Sequence, residues 1–410
     1  MKILHVNFSD NKGGASISVM RLHKYLLEIG VDSNLLVADK ELNEDKVISI
    51  NKTSQKISNI VKSSISRNIK LFFKSSNKNT HSINLIPSKL LKIINEFNAD
   101  IVNLHWLGNE TLSINQISKI KSKIVWTMHD MWPFCGAEHY TSDERYKRGY
   151  LKNNRPVYEK GFDINKYIWG KKILKFKNVN KIIVTSKWMQ DCLKESLIFK
   201  NHPIKEIPLI LDQKFWSPVN ESDTAKKILG LPKNKKIITF GSDNYLGNDR
   251  KGFNYIIKIF EYYENNNDIE FIIFGENNSN RLNNYLKKFN VKKKFINLGK
   301  INDQINMKLL YAASDLIISP SIQEAFGLII SESQHMGVPC VVFKNTGSES
   351  IVEHKKTGYV AKLKSVDDFI EGITWCLENL NKKEKIINDL IREKFKTDKI
   401  INAYLEFLKT

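Results

Sequence analysis

What most constrains the fold of this chain is an alternation, run through twice, between short apolar stretches and segments with helical spacing. In the first half Lys2 to Asn7, Ser33 to Ala38, Ile101 to Leu104, Lys123 to Met128 and Lys181 to Thr185 read as strands. Helices fill the gaps; Ser16 to Ile29 places Ile17, Met20, Leu26 and Leu27 near one face. Strands joined by helical crossovers pair in parallel, in a sheet wound by helices. A polar stretch, W-S-P-V-N-E-S-D at 216–223, is interrupted by Pro218 and closes the first round. The alternation restarts with K-K-I-I-T-F-G, I-E-F-I-I-F-G and K-F-I-N-L-G. The expected fold class is therefore α/β, with two doubly wound domains. At 410 residues the chain exceeds one compact core and suits two. The ranges expected are 1–213, 214–392 and a helical segment at 393–410. Ligands of such sheets bind beyond the strands' carboxyl ends, which places the expected site in a cleft between the domains.

The second round carries the most informative run. S-D-L-I-I-S-P ends at Pro320 and reads as a buried parallel strand, and G-V-P-C-V-V-F reads as another. Between them lies S-I-Q-E-A-F-G-L-I-I-S-E, a polar loop turning into a helix near Phe326. The first amides of a helix are unpaired and carry partial positive charge, so those at Ala325, Phe326, Gly327 and Leu328 suit a diphosphate without needing a metal. Gly327 admits close approach to the backbone. Glu324, on the loop, can accept hydrogen bonds from sugar hydroxyls, and Glu332, one to two turns into the helix, from a ribose diol.

Composition narrows the classes further. No apolar run reaches the roughly 18 to 20 residues that span a bilayer, and M-K-I-L-H-V-N-F is too short and too soon polar for a secretory signal. The expected location is cytoplasmic. Cys135, Cys192, Cys340 and Cys376 form no C-x-x-C pair, so neither a disulfide framework nor a metal site is expected. The net charge of +20 has two readings. A bias toward Lys, Asn and Ile follows from an AT-rich genome, while a surface meeting anionic phospholipid would gain about 1 kcal/mol per basic residue. At 55–75, Ile57, Ile60, Val61, Ile65, Ile69 and Phe72 recur at helical spacing between Lys62, Arg67, Lys70 and Lys74. That stripe fits a membrane-surface helix or a core helix equally. Nucleic acid is not an expected partner, because no aromatic-basic patch, zinc spacing or recognition helix accompanies the charge.

The run E-A-F-G-L-I-I-S-E, followed by H-M-G-V-P-C-V-V and T-G-S-E-S-I-V, resembles the donor motif of the retaining glycosyltransferases of family 4, which have the GT-B fold. K-I-L-H-V-N-F-S-D-N-K-G-G-A-S-I-S-V-M-R-L-H-K-Y-L-L-E-I-G and W-T-M-H-D-M-W-P-F resemble the branch that builds exopolysaccharide, colanic-acid or O-antigen repeats. The resemblance covers nearly the whole chain. It implies two Rossmann-like domains facing across a cleft and a C-terminal helix crossing back to the first. It further implies a metal-independent hexosyltransferase, a UDP- or GDP-linked sugar as donor with no cofactor, and a growing, usually lipid-linked glycan as acceptor.

By that resemblance the loop of Gly13 and Gly14 sits against the donor phosphates and sugar; it lacks the third Gly of a dinucleotide fingerprint. His129, at the end of the strand K-I-V-W-T-M, contacts the donor sugar. Asp130 beside it, with His105 and Trp106 ending D-I-V-N-L-H-W, falls on the acceptor side. The family's Lys-Gly pair maps onto Lys251 and Gly252, and Arg250 adds charge for a departing diphosphate. Together His129, Lys251 and Glu324 form the expected catalytic set. Two departures stand out. Ser242 occupies the place of an Arg that many members carry, and no cysteine cluster follows W-P-F, leaving Glu138 and His139 as acceptor-side polar groups and 141–166 as an expected mobile loop. A nucleotide-sugar epimerase of the same fold and a degenerate, non-catalytic homologue remain as alternatives.

Overall fold

A computed structural model describes residues 1–50, 73–219, 221–276, 279–380 and 384–410. The chain divides into two units, Met1–Ile210 with Ile400–Thr410, and Leu211–Lys399.

The first unit contains β1 (Lys2–Ser9), β2 (Asp32–Asp39), β3 (Val47–Ser49), β4 (Phe73–Lys74), β5 (Ile101–Leu104), β6 (Lys123–Met128), β7 (Lys160–Gly161), β8 (Val179–Val184) and β9 (Ile204–Glu206). Among the described residues, seven of these form one parallel sheet in the order β3-β2-β1-β5-β6-β8-β9, and β4 pairs with β7 separately. All five strands read from the sequence are present. The three-residue edge strands β3 and β9 are additions too short to show a period.

Strand order decides where the loops diverge. From β1 the chain winds outward through β2 and β3, then returns to β5 on the other side, so β1 and β5 flank the switch point at which such sheets bind ligands. Polar residues in these central strands are buried and therefore paired. Asn7 accepts from the Trp106 amide at 2.9 Å and donates to Ser9 O and Ser16 Oγ, which ties the loops after β1 and β5 together. The helix Thr397–Lys409 buries Ile400, Ile401, Tyr404 and Leu408 along one stripe. Asn103 donates to the Tyr404 hydroxyl at 2.9 Å and Lys181 to Phe407 O at 2.7 Å, so this last helix belongs to the first unit from Ile400 onward.

The second unit contains β10 (Lys236–Gly241), β11 (Ile269–Phe274), β12 (Phe295–Asn297), β13 (Leu316–Ser319), β14 (Cys340–Phe343) and β15 (Gly358–Ala361), parallel in the order β12-β11-β10-β13-β14-β15. Ile237, Ile272, Phe274, Leu310 and Ala313 pack one face of its core. Here β10 and β13 flank the switch point.

Two sequence expectations change. The helix expected near Phe326 is Leu328–His335, because Gly327 takes a left-handed φ of +105° and so ends the loop rather than joining the helix. The stretch 141–166, expected as a mobile loop, is instead tied down from inside. Arg145 is buried and binds Asp143, and its Nη2 donates to Glu159 at 2.8 Å. The amphipathic stripe at 55–75 lies, apart from its last three residues, outside the described residues.

Candidate active site

In the second unit the loops after β10 and β13 bring the expected donor residues together. Lys251 Nζ lies 2.5 Å from Glu324 Oε2, and Arg250 Nη1 lies 3.7 Å from the same oxygen while donating to Gln323 O at 2.9 Å. The two loops are laced by Ile322 N donating to Arg250 O at 2.8 Å. Gly252 makes that approach possible: its φ is +75°, and a Cβ there would sit 1.9 Å from Pro320 O. Burial by itself would raise the Glu324 carboxyl, but the charges of Lys251 and Arg250 outweigh it and hold the group below the usual carboxylate range.

Helix Leu328–His335 starts one turn away in sequence. Its N-cap is Gly327, with no side-chain cap and no acidic residue in the first turn. Nothing from the helix's own start neutralises the partial charge of its first amides. Ser348, in the loop after β14, fits against Gly327: a Cβ on that glycine would come within 2.4 Å of Ser348 Oγ. Its hydroxyl is buried without a hydrogen-bond partner. Ser348 is not among the expected site residues, although T-G-S-E-S follows an apolar strand as the Glu324 loop does. Glu332 is buried in the helix, where the Tyr311 hydroxyl donates to its Oε2 at 3.1 Å. Ser242 is also buried, its carbonyl packed where a Cβ on Gly275 would come within 2.2 Å.

In the first unit Gly13 opens the helix Gly13–Glu28 with φ +81°, and a Cβ there would meet nothing within 4 Å. The glycine is required by the turn and not by packing, which leaves space above it. Beyond β5 and β6 runs a line of imidazoles: His5 Nδ1 lies 3.0 Å from His105 Nε2, and His105 Nδ1 lies 3.0 Å from His129 Nε2. Burial lowers all three, His5 to about 3 and His129 to about 4, so the line is neutral at pH 7. His129, half-buried, and His105 line an apolar pocket with Ile183, Ile210, Ile401 and Tyr404. In the sequence His5 is only part of a core strand; its place in the line depends on two residues more than ninety positions away.

The remaining residues expected on the acceptor side are spent internally. Asp130 Oδ2 accepts from Trp106 Nε1 and from His139 Nδ1, both at 2.6 Å, and His139 Nε2 meets Ser82 Oγ at 2.8 Å. His139 and Glu138 are buried. Tyr150 donates to Glu138 Oε1 at 2.5 Å, and burial pushes the Glu138 carboxyl up to about 7 in spite of that bond. A carboxyl raised on folding binds more protons in the native than in the unfolded state, so its contribution is full at acid pH and is lost as pH rises through about 7. The part of the stability that Glu138 supplies, read by urea unfolding as wild type minus Glu138→Gln, is therefore expected to fall between pH 5 and about 7.5, while the buried imidazoles make the stability of both proteins rise with pH over the same range. Among the described residues no group of three or more His, Cys, Asp or Glu side chains is disposed to hold a metal ion, and no helix is long and apolar enough to cross a membrane.

The comparisons with known proteins agree with this architecture. Residues 12–214 match the family described as Glycosyltransferase Family 4, and residues 221–391 the family described as Glycosyl transferases group 1. An Escherichia coli enzyme named UDP-Gal:alpha-D-GlcNAc-diphosphoundecaprenol alpha-1,3-galactosyltransferase is 30% identical over 230 residues, 53% of this chain and 57% of that protein. N-acetyl-alpha-D-glucosaminyl L-malate synthase of Bacillus anthracis is 23% identical over 51% of this chain and 54% of its own length. The chain thus spans about half the length of these curated relatives. Among solved structures, Anabaena HepE in complex with UDP and glucose superposes with a TM-score of 0.66 at 15% identity, covering 100% of this chain and 99% of that one. WaaG, described as a glycosyltransferase involved in lipopolysaccharide biosynthesis, gives 0.63 at 13%, covering 96% and 95%.

Proposed function

We propose that this chain, which belongs to the GT-B glycosyltransferases of the family 4 type, moves a sugar from a nucleoside-diphosphate sugar to a lipid-linked glycan of a bacterial surface polysaccharide, with retention at the anomeric carbon and without a metal. The observation that carries the reading is the pairing of Lys251 with Glu324 at the β10–β13 switch point, beside a helix that starts without a side-chain cap. Lys251, Arg250 and the amides at Phe326 to Leu328 hold the diphosphate, and Glu324 takes sugar hydroxyls on the acceptor capacity that Lys251 leaves open. Glu332 takes the ribose diol. In the transfer the bond from the anomeric carbon to the diphosphate oxygen breaks on the face where the acceptor oxygen bonds. The departing oxygen takes the acceptor's proton. The protein contributes position and charge.

Gly13 and Gly14 supply the open turn against the phosphates. His129 acts as a hydrogen-bond donor. His5 Nε2 is buried without a partner, and an orphaned lone pair is better tolerated than an orphaned N–H. The line therefore runs from His5 Nδ1–H to His105 and from His105 Nδ1–H to His129 Nε2, which leaves His129 Nδ1–H to donate outward. Trp106, Asp130, Glu138 and His139 support this wall from behind.

The UDP in the names of the E. coli relative and of HepE supports a uridine donor. A thermal-shift panel of UDP, GDP and their sugar conjugates tests it, since a ligand at about 100 times its dissociation constant stabilises by about 2.7 kcal/mol. UDP and its sugars are expected to raise the midpoint and GDP to leave it; no shift with any of them would count against the whole reading. Product analysis with and without acceptor separates transfer from epimerisation.

A further inference from the structure

The first unit carries a patch that none of these residues uses. Between 148 and 177 several large apolar side chains stand in solvent: Val157 is 94% exposed, Leu174 67% and Phe162 55%, with Leu151, Tyr158 and Tyr167 also exposed. They are connected. The Phe162 and Tyr167 rings lie 5.7 Å apart, Lys171 Nζ lies 5.0 Å from the Tyr167 ring, and Arg155 donates to Gly161 O at 2.9 Å. Helix Ile164–Lys175 explains the rest. It buries Ile164, Asn165, Ile168 and Lys172 and turns Tyr167, Lys171 and Leu174 outward at i, i+4 and i+7, around Gly170, where a Cβ would meet nothing within 4 Å.

Charge identifies the occupant. Lys152, Lys160, Lys166 and Lys175 are exposed within the same span. The acids of the span, Glu159 and Asp163, are both drawn into the cluster around Arg145. Neighbouring apolar side chains on a purely cationic rim, with tyrosines whose hydroxyls can stay in the polar layer, fit the headgroup zone of an anionic bilayer. A protein partner would be expected to find acceptor groups there as well. We infer that residues 148–175 form a membrane-docking surface that seats this unit on anionic phospholipid through Val157, Phe162 and Leu174, held by the surrounding lysines. This deepens the reading of a lipid-borne acceptor. Because binding is scored without donor or acceptor, its failure would leave that reading standing.

The test is flotation of the full chain with vesicles of phosphatidylcholine alone or containing about 30 mol% phosphatidylglycerol, at low and high salt. Binding is expected only to the anionic vesicles and to weaken with salt. Phe162→Asp with Leu174→Asp should lower it about tenfold, with the circular dichroism spectrum and melting midpoint of the wild type. Lys160→Glu with Lys166→Glu and Lys175→Glu should remove the salt-sensitive part, and Lys287→Glu with Lys288→Glu, elsewhere on the surface, should bind as wild type. Equal binding to both vesicle types, or folded patch variants that bind as wild type, would overturn the inference. So would self-association that the apolar variant abolishes while vesicles capture nothing, because the patch would then face a second copy.

Discussion

Glu324→Gln is expected to lower the turnover number by about 10²- to 10³-fold while the chain stays folded. The amide keeps the shape of the carboxylate and one accepting oxygen, but it loses the charge that fixes Lys251 at 2.5 Å and the full accepting capacity for sugar hydroxyls. Glutamine is the sharper probe than alanine. Removing the side chain altogether would also take the last accepting oxygen from the half-buried Lys251 and leave a gap beside it, and so confuses lost chemistry with lost structure. The measurement is steady-state transfer with donor varied, beside a urea titration. Turnover within about threefold of wild type would remove Glu324 from the site.

Lys251→Met is expected to lower turnover by a similar factor, about 10² or more, for a different reason: the ammonium is needed as negative charge develops on the departing diphosphate. The loss should fall on the chemical step, so kcat drops more than affinity for the nucleoside diphosphate. Arg250 remains near, at 3.7 Å from Glu324, and limits the damage. The same substitution has a signature in stability. In the wild type the Glu324 carboxyl is held below its ordinary value, so its stabilising contribution is present above the unfolded carboxyl pKa and is lost as pH falls through the folded one. Without Lys251 the folded pKa moves up, and acid unfolding should begin at higher pH. Because the two side chains act as a pair, the double variant should lose much less than the product of the single losses.

Much of this was legible in sequence because it is periodic or local. The strands around Leu4, Leu36, Val102 and Trp126 are mostly apolar and buried on both faces, as a parallel sheet covered by helices demands. The Glu324 loop was found because strand, proline, glycine and helix follow one another within a dozen residues. What stayed hidden depends on partners far apart in the chain. Glu138 and His139 in G-A-E-H-Y are expected as acceptor-side polar groups; they are interior, with Tyr150, Asp130 and Ser82 satisfying them. Arg145 has no mark of its own in the polar stretch 141–166, and only Asp143 and Glu159 closing on it make it interior. The imidazole line joins three strands of one sheet, and no spacing along a single strand announces it. The helix at Leu328 lay two residues from its expected start because a left-handed glycine depends on what it packs against, here Ser348.

The return of residues 400–410 to the first unit sets an order of events during synthesis. Everything between Leu211 and Lys399 leaves the ribosome before Tyr404 exists to meet Asn103, so the second unit can complete itself on the nascent chain while the first must wait with the flank of its sheet uncovered. A stalled or clipped chain would present Ile183 and Ile210 to water, and quality-control proteases would meet an unfinished first unit beside a finished second one.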